Sequence, residues 1–168
     1  CVVMEPVRGG ALANLAKDAN AVLKAQAPDK SIASWALRYA MSLENAFCVL
    51  SGMSDMAQIT DNLATVANFA PLSSTEREAL ASAVQLHKKA KTVPCTACRY
   101  CMPCPVGVDI PRVFAAFNRA ALANSPQQFQ EALANMPPAQ APVACIACGK
   151  CAEVCPQHIA IPEKMQAY

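Results

Sequence analysis

Two short cysteine-rich segments decide how the second half of this chain folds. The first reads Cys95-Thr-Ala-Cys98-Arg-Tyr-Cys101-Met-Pro-Cys104-Pro105. The second reads Cys145-Ile-Ala-Cys148-Gly-Lys-Cys151-Ala-Glu-Val-Cys155-Pro156. Together they hold eight of the ten cysteines in the 168-residue chain. The second segment has the spacing C-x2-C-x2-C-x3-C-P, and the first differs by having one residue fewer before its fourth cysteine.

This spacing is typical of four thiolates that ligate [4Fe–4S] clusters in bacterial-type ferredoxins. Two residues between cysteines let a tight turn wrap one face of a cluster, and the fourth ligand then comes from elsewhere. In two-cluster ferredoxins the fourth cysteine of each run ligates the other cluster. The spacing therefore predicts two clusters with exchanged fourth ligands. One is held by Cys95, Cys98, Cys101 and Cys155, and the other by Cys145, Cys148, Cys151 and Cys104.

The segments that follow the two cysteine runs repeat as well. Cys104-Pro-Val-Gly-Val-Asp-Ile-Pro111 parallels Cys155-Pro-Gln-His-Ile-Ala-Ile-Pro162, and proline is favoured in the first turn of a helix. We expect helices from Pro111 and from Ser125-Pro126 to about Met136, then an extended linker from Pro137 to Pro142. The 40 residues between Cys104 and Cys145 favour a mostly helical two-cluster domain. Such a domain resembles the electron-transfer subunits of succinate dehydrogenase and heterodisulfide reductase.

Other uses of clustered cysteines fit this pattern less well. Structural zinc sites use two C-x2-C pairs separated by a long loop, not four cysteines in one run. Disulfide frameworks belong to small secreted domains, and this chain shows no secretory character. The first residue, Cys1, could be a lipid-modified cysteine, but Val2-Val3-Met4 predicts a strand and not a flexible tether.

The composition describes a globular chain with 54% hydrophobic and 15% charged residues. No apolar run approaches the roughly 18 residues that span a bilayer, so we expect no membrane span. A net charge of +2 gives no argument for nucleic-acid binding. The reduced thiols and the absence of an export signal favour the cytoplasm. The chain begins inside an apolar run, and we expect it to be part of a longer protein.

The first seventy residues have an α/β pattern. Apolar runs predict strands at residues 1–5 and 47–50, and helical spacing predicts helices at 31–42 and 55–70. This order predicts parallel strands. Asp55 and Gln58 have the spacing of a capping box, and Ser73 or Ser74 begins a further helix that runs to about Lys89.

Three segments of this half resemble the aldo/keto reductase family. They are Met4-Glu-Pro-Val-Arg-Gly-Gly10, Ala36-Leu-Arg-Tyr39, and Leu50-Ser-Gly-Met-Ser54 with Gln58 and Asp61-Asn62. With its cysteine-rich tail, the whole chain resembles the C-terminal part of the reductases in this family that carry a ferredoxin-type domain. The resemblance implies α/β plus all-α architecture: the last two βα units of a TIM-type (β/α)8 barrel at 1–70, a connecting helix at 71–93, and a ferredoxin-type domain at 94–168.

The same resemblance implies NAD(P)H as a cofactor, a small-molecule carbonyl substrate and a redox partner protein. The cofactor contacts that it implies are Val7, Arg8 and Gly9 after the first strand, and Gly52, Met53, Ser54, Gln58 and Asn62 after the second. The residues alone leave open an ordinary strand-to-helix turn that needs glycine for its backbone and serine or aspartate as a cap.

The chain departs from the family in one respect: the catalytic tetrad of Asp, Tyr, Lys and His matches nothing in it. We therefore assign no catalytic residue. Two functions stay open. One is a fragment of an NAD(P)H-linked oxidoreductase with iron–sulfur electron transfer, and the other is a free-standing ferredoxin-like electron carrier or redox-complex subunit without carbonyl reductase activity. Two strands cannot close a barrel, so we expect apolar side chains around Trp35, Ile59 and Leu63 to be exposed.

Overall fold

The computed structural model describes residues 1–168 and divides into two compact units, Cys1–Lys89 and Ala90–Tyr168. The first unit contains strand β1 (Val2–Met4), helices α1 (Lys17–Gln26) and α2 (Ile32–Met41), strand β2 (Cys48–Leu50), and helices α3 (Met56–Ala67) and α4 (Ser74–Lys89). Helix α4 covers most of the segment predicted as a connector, and it packs against α1 within this unit.

The two strands pair in parallel, as the sequence predicts. Their register joins Val2 to Cys48, Val3 to Val49 and Met4 to Leu50. Because neighbouring parallel strands end at the same edge of a sheet, the loops that follow β1 and β2 leave from that edge together.

Side-chain caps begin the helices that the sequence predicts. The hydroxyl of Ser31 accepts a hydrogen bond from the Ser34 N–H at 3.0 Å and begins α2. Ser73 and Glu76 form a reciprocal capping box at the start of α4, with distances of 3.2 Å and 2.9 Å. Sequence reasoning missed α1, because only Ala19 and Leu23 of its ten residues are buried and the apolar spacing is correspondingly weak.

Helix α3 turns its polar side toward the rest of the first unit. Thr65 is its one buried residue, and Asp61 accepts a hydrogen bond from the Ser31 hydroxyl at 2.6 Å. On the other side, Leu63 is 64% exposed and Met56 is 71% exposed. The expected exposure near Leu63 is confirmed. The expectation is wrong for Trp35, a residue of α2 that is 1% exposed because that side of α2 is buried within the first unit, and Ile59 of α3 is partly buried.

The small sheet also leaves apolar side chains uncovered. Val2, Met4 and Leu50 are about half or more exposed, and Phe47 beside β2 is 90% exposed. Parallel sheets in proteins are normally covered on both faces. The first unit therefore presents an apolar surface, from the sheet and from α3, that nothing in residues 1–89 covers.

The second unit is helical and builds its core around the two cysteine segments. Its helices are α5 (Ile110–Ala123), α6 (Pro126–Ala134), α7 (Lys150–Glu153) and α8 (Ile161–Ala167). Ile110 and Ile161, at equivalent positions of the repeat, are both 2% exposed and lie in one core with Val113 and Phe114. Six of the eight clustered cysteines pack against that core: Cys95, Cys101, Cys104, Cys145, Cys151 and Cys155.

The prediction of an extended linker at 137–142 is wrong. The segment forms two 3-10 turns, Pro138–Gln140 and Pro142–Ala144. Proline fixes φ near −65°, a value that 3-10 turns share with extended polyproline structure. Local hydrogen bonds close the turns here, from Gln140 N–H to the Pro137 carbonyl at 2.8 Å and from Cys145 N–H to the Pro142 carbonyl at 2.9 Å. No helix of the chain combines the length and apolar character needed to cross a membrane.

Candidate metal centre

The two cysteine segments begin with the same backbone turn. Ala97 and Ala147 have φ values of 56° and 53°, and Arg99 and Gly149 follow with φ values of 65° and 81°. In each turn the alanine N–H donates a hydrogen bond to the sulfur of the first cysteine, at 3.4 Å for both Cys95 and Cys145. The repeat that the sequence shows is therefore a repeat of local geometry.

A first cavity is enclosed by cysteines of both segments. It has a volume of about 20 Å³, and buried side chains of the core, Phe114 and Ile161 among them, form part of its wall. The cysteines in its wall are Cys95, Cys98, Cys101 and Cys155.

A second cavity, of about 210 Å³, lies in the same unit. Cys101 reaches it as well as the first cavity, together with the exposed side chains of Tyr100, Ile146 and Val154. The other cysteines in its wall are Cys104, Cys145, Cys148 and Cys151. Each cavity wall thus includes the first three cysteines of one segment and the fourth cysteine of the other, and the second wall contains Cys101 in addition.

Burial controls the acidity of the innermost thiols. The pKa of Cys101 is raised to about 11, mainly by burial and also by the neighbouring thiols of Cys95, Cys151 and Cys98, against a backbone hydrogen bond that lowers it. Burial also raises the pKa of Cys95 and of Cys151. These thiols are therefore protonated at neutral pH unless a positively charged metal displaces the proton, as metal ligation by cysteine requires.

The cysteines surround each cavity and do not converge on one point. No three Cys, His, Asp or Glu side chains of the chain lie close enough to hold a single metal ion. A [4Fe–4S] cluster offers a different iron to each of four thiolates, which suits cysteines spread around a cavity.

Comparison with known proteins identifies this part of the chain. Residues 94–160 match the family model of the 4Fe-4S dicluster domain. No curated protein and no solved structure matches the chain. The second unit is thus a ferredoxin-type domain that binds [4Fe–4S] iron–sulfur centres and transfers electrons.

The residues implied as nicotinamide contacts lie at one edge of the first unit. Val7, Arg8 and Gly9 form the turn after β1, where Arg8 and Gly9 have φ values of 51° and 62°. Gly52, Met53 and Ser54 follow β2 at the same sheet edge, since the two strands are parallel. Ligands of open α/β sheets and barrels bind at this carboxyl edge.

Several polar groups of this second loop already have partners. The side-chain amide oxygen of Gln58 accepts a hydrogen bond from the backbone N–H of Ser54 at 2.9 Å. The backbone N–H of Gln58 donates to the Asp55 carboxylate at 2.8 Å. The Asn62 amide donates to the Ser51 hydroxyl at 2.9 Å. Gln58 and Asn62 therefore hold the loop in place, and the Ser54 N–H has its hydrogen-bond partner within the loop.

Sequence reasoning missed one residue of the first cavity, Thr96. Its side chain lies in the cavity wall beside the four cysteines, and its hydroxyl is buried without a hydrogen-bond partner. The one signal for it in the sequence is the repeat itself, in which Ile146 occupies the equivalent position.

Proposed function

We propose that the second unit holds two [4Fe–4S] clusters with exchanged fourth ligands and passes electrons between redox partners. The observation that carries this proposal is the composition of the two cavity walls: each contains the first three cysteines of one segment and the fourth cysteine of the other, and Cys101 reaches the second wall as well. A bound [4Fe–4S] cluster supplies reversible one-electron transfer. The protein positions the thiolates and supplies a matched backbone N–H to a sulfur in each half.

The ligand exchange is testable with pairs of cysteine-to-serine substitutions. If the ligands are exchanged, Cys104→Ser and Cys145→Ser remove ligands of the same cluster. The double variant should then keep one cluster, about four irons of the wild type's eight per chain. Cys104→Ser with Cys95→Ser removes one ligand from each cluster, so iron should fall well below four.

The measurement is iron and sulfide per chain after anaerobic reconstitution, with the electron paramagnetic resonance spectrum of the reduced protein. The reverse ranking of the two double variants would show that each segment ligates its own cluster. A colourless wild-type protein with stoichiometric zinc would refute the iron–sulfur proposal as a whole.

For the first unit, we propose that it supplies the last two βα units of an aldo/keto reductase-like (β/α)8 barrel, in a cytoplasmic NAD(P)H-linked oxidoreductase that acts on a small carbonyl compound. The proposal is supported by the parallel strand pair, the loops at one carboxyl edge, and the uncovered apolar side of α3 with Met56 and Leu63. Further strands and helices of a barrel would cover that side. Oxidation of one NAD(P)H to NAD(P)+ would release two electrons and a proton, and each of the two clusters would accept one electron.

The coding sequence that precedes Cys1 tests this second proposal. Six further βα units with an Asp, Tyr, Lys and His tetrad would support it, and the protein that includes them should lose its visible cluster absorbance when NADH or NADPH is added anaerobically. An unrelated upstream domain, or clusters that neither nucleotide reduces, would favour the ferredoxin-like electron carrier.

A further inference from the structure

Thr96 carries a buried hydroxyl that has no partner in the protein. The residue is 8% exposed, and its Oγ1 atom makes no hydrogen bond. Buried hydroxyl groups in folded proteins are nearly always hydrogen-bonded, because the loss of water without a replacement is unfavourable. Thr96 is a residue of the first cavity wall, with Cys95, Cys98, Cys101 and Cys155, and a group bound in that cavity would lie beside it.

The second cavity lacks an equivalent donor. Ile146 occupies the position of Thr96 in the repeat, and its side chain is 64% exposed. The backbone donors do not differ, because Ala97 and Ala147 donate to the first cysteine sulfur of each segment at the same distance, 3.4 Å. At this position of the repeat, the two cavities therefore differ by a buried hydroxyl on one side and an exposed aliphatic group on the other.

We propose that the Thr96 hydroxyl donates a hydrogen bond to a sulfur of the cluster that Cys95, Cys98, Cys101 and Cys155 hold, and that this bond raises the reduction potential of that cluster. Reduction adds one electron to the cluster and makes it more negative. A hydrogen-bond donor stabilises the more negative state more strongly, and hydrogen bonds to the sulfurs are among the factors that set cluster potentials. This inference rests on the proposed function.

The test is Thr96→Val in the full chain, which removes the hydroxyl and nearly keeps the shape. Dithionite supplies the electrons in an anaerobic titration that is followed by electron paramagnetic resonance. We expect the reduced-to-oxidised ratio of one cluster, at a fixed potential, to fall about tenfold, which is about 59 mV for one electron. The other cluster should not change. Thr96→Ser should behave like the wild type, and Ile146→Val, the matched control, should leave both potentials unchanged.

A second readout separates a hydrogen bond from a change in packing. Electron–nuclear double resonance of the reduced protein in H2O and D2O should show a solvent-exchangeable proton that is present with Thr96 or Thr96→Ser and absent in Thr96→Val. If Thr96→Val does not retain the cluster, the same two readouts, the cluster potential and the exchangeable proton, are compared between Thr96→Ala and Thr96→Ser.

The outcomes are distinct. A wild-type chain without [4Fe–4S] clusters overturns the proposed function and this inference with it. A wild-type chain with two clusters whose potentials and exchangeable protons do not respond to loss of the Thr96 hydroxyl overturns the inference alone.

Discussion

Arg38 and Glu76 form a bidentate ion pair that joins α2 to the start of α4. The two nitrogen–oxygen distances are 2.6 Å and 3.0 Å, and the side chains are 9% and 17% exposed. The Glu76 carboxylate also accepts from the Ser73 N–H at 2.9 Å. The hydrogen bond from Arg38, helped by the bond from Ser73 and opposed by burial, lowers the pKa of Glu76 from 4.5 to about 2.

Glu76→Gln should destabilise the first unit by about 2 kcal/mol at pH 7. A pKa lowered from 4.5 to about 2 sets an upper limit of about 3 kcal/mol, since each unit corresponds to about 1.4 kcal/mol. We discount that limit because the carboxylate keeps some contact with water. A glutamate whose pKa is depressed by folding stabilises the folded state above its unfolded pKa and loses that effect as the pH falls toward the folded value. The difference between wild type and Glu76→Gln should therefore be full above about pH 4.5 and shrink toward pH 2 to 3.

The fluorescence of Trp35 reports this transition specifically. It is the one tryptophan of the chain, it is 1% exposed, and it lies in the first unit. The assay is urea denaturation of the full chain at pH 7 and at pH 3, with Glu78→Gln as the control because Glu78 is an exposed residue of the same helix. Equal urea midpoints for wild type and Glu76→Gln at pH 7 would refute the stabilising role of the ion pair. The same loss of unfolding free energy at pH 7 and at pH 3 would refute it too.

Two further predictions concern the second unit. Gly107→Ala should destabilise it by about 1 kcal/mol more than Gly149→Ala. Both positions have a positive φ, of 89° and 81°, but only at Gly107 would a Cβ meet another atom, the Ala139 carbonyl oxygen at 3.2 Å. Equal denaturation midpoints for the two variants would contradict this. Trypsin should cut the chain near Lys89, where the two units divide, and leave a brown fragment that resists further digestion while the first half is degraded. A resistant fragment that spans Lys89 would contradict this prediction, and so would survival of residues 1–70 as a soluble, cooperatively melting unit.

Local signals in the sequence predicted local structure well. Helices α2, α3 and α4 begin at Ser31, Asp55 and Ser73, each of which has a side chain that accepts a backbone N–H of its own first turn. A helix cap and a line of apolar residues depend on a few neighbouring residues and can therefore be recognised without the fold. The prediction missed α1, whose apolar spacing is weak, and wrongly gave an extended linker at the proline-rich segment 137–142.

The burial of particular side chains depended on neighbours far away in the chain. The sequence places Trp35 and Leu63 on apolar helix faces, and packing buries the first and leaves the second exposed. The pattern of one helix does not say which of its sides a neighbour will cover, because that depends on contacts between segments distant in sequence.

The same division holds at the metal centre. The sequence by itself determined the two ferredoxin-type runs that hold eight cysteines, since the spacing of each run alone sets which thiols share a turn. Tertiary structure decided what surrounds each cavity: it carries Cys155 to the first segment and Cys104 to the second, and it buries Thr96 while it leaves Ile146 exposed. The physical reason is that a turn forms from contacts within a few residues, whereas a cavity wall forms only when α5 and α8 pack into one core and bring both segments together.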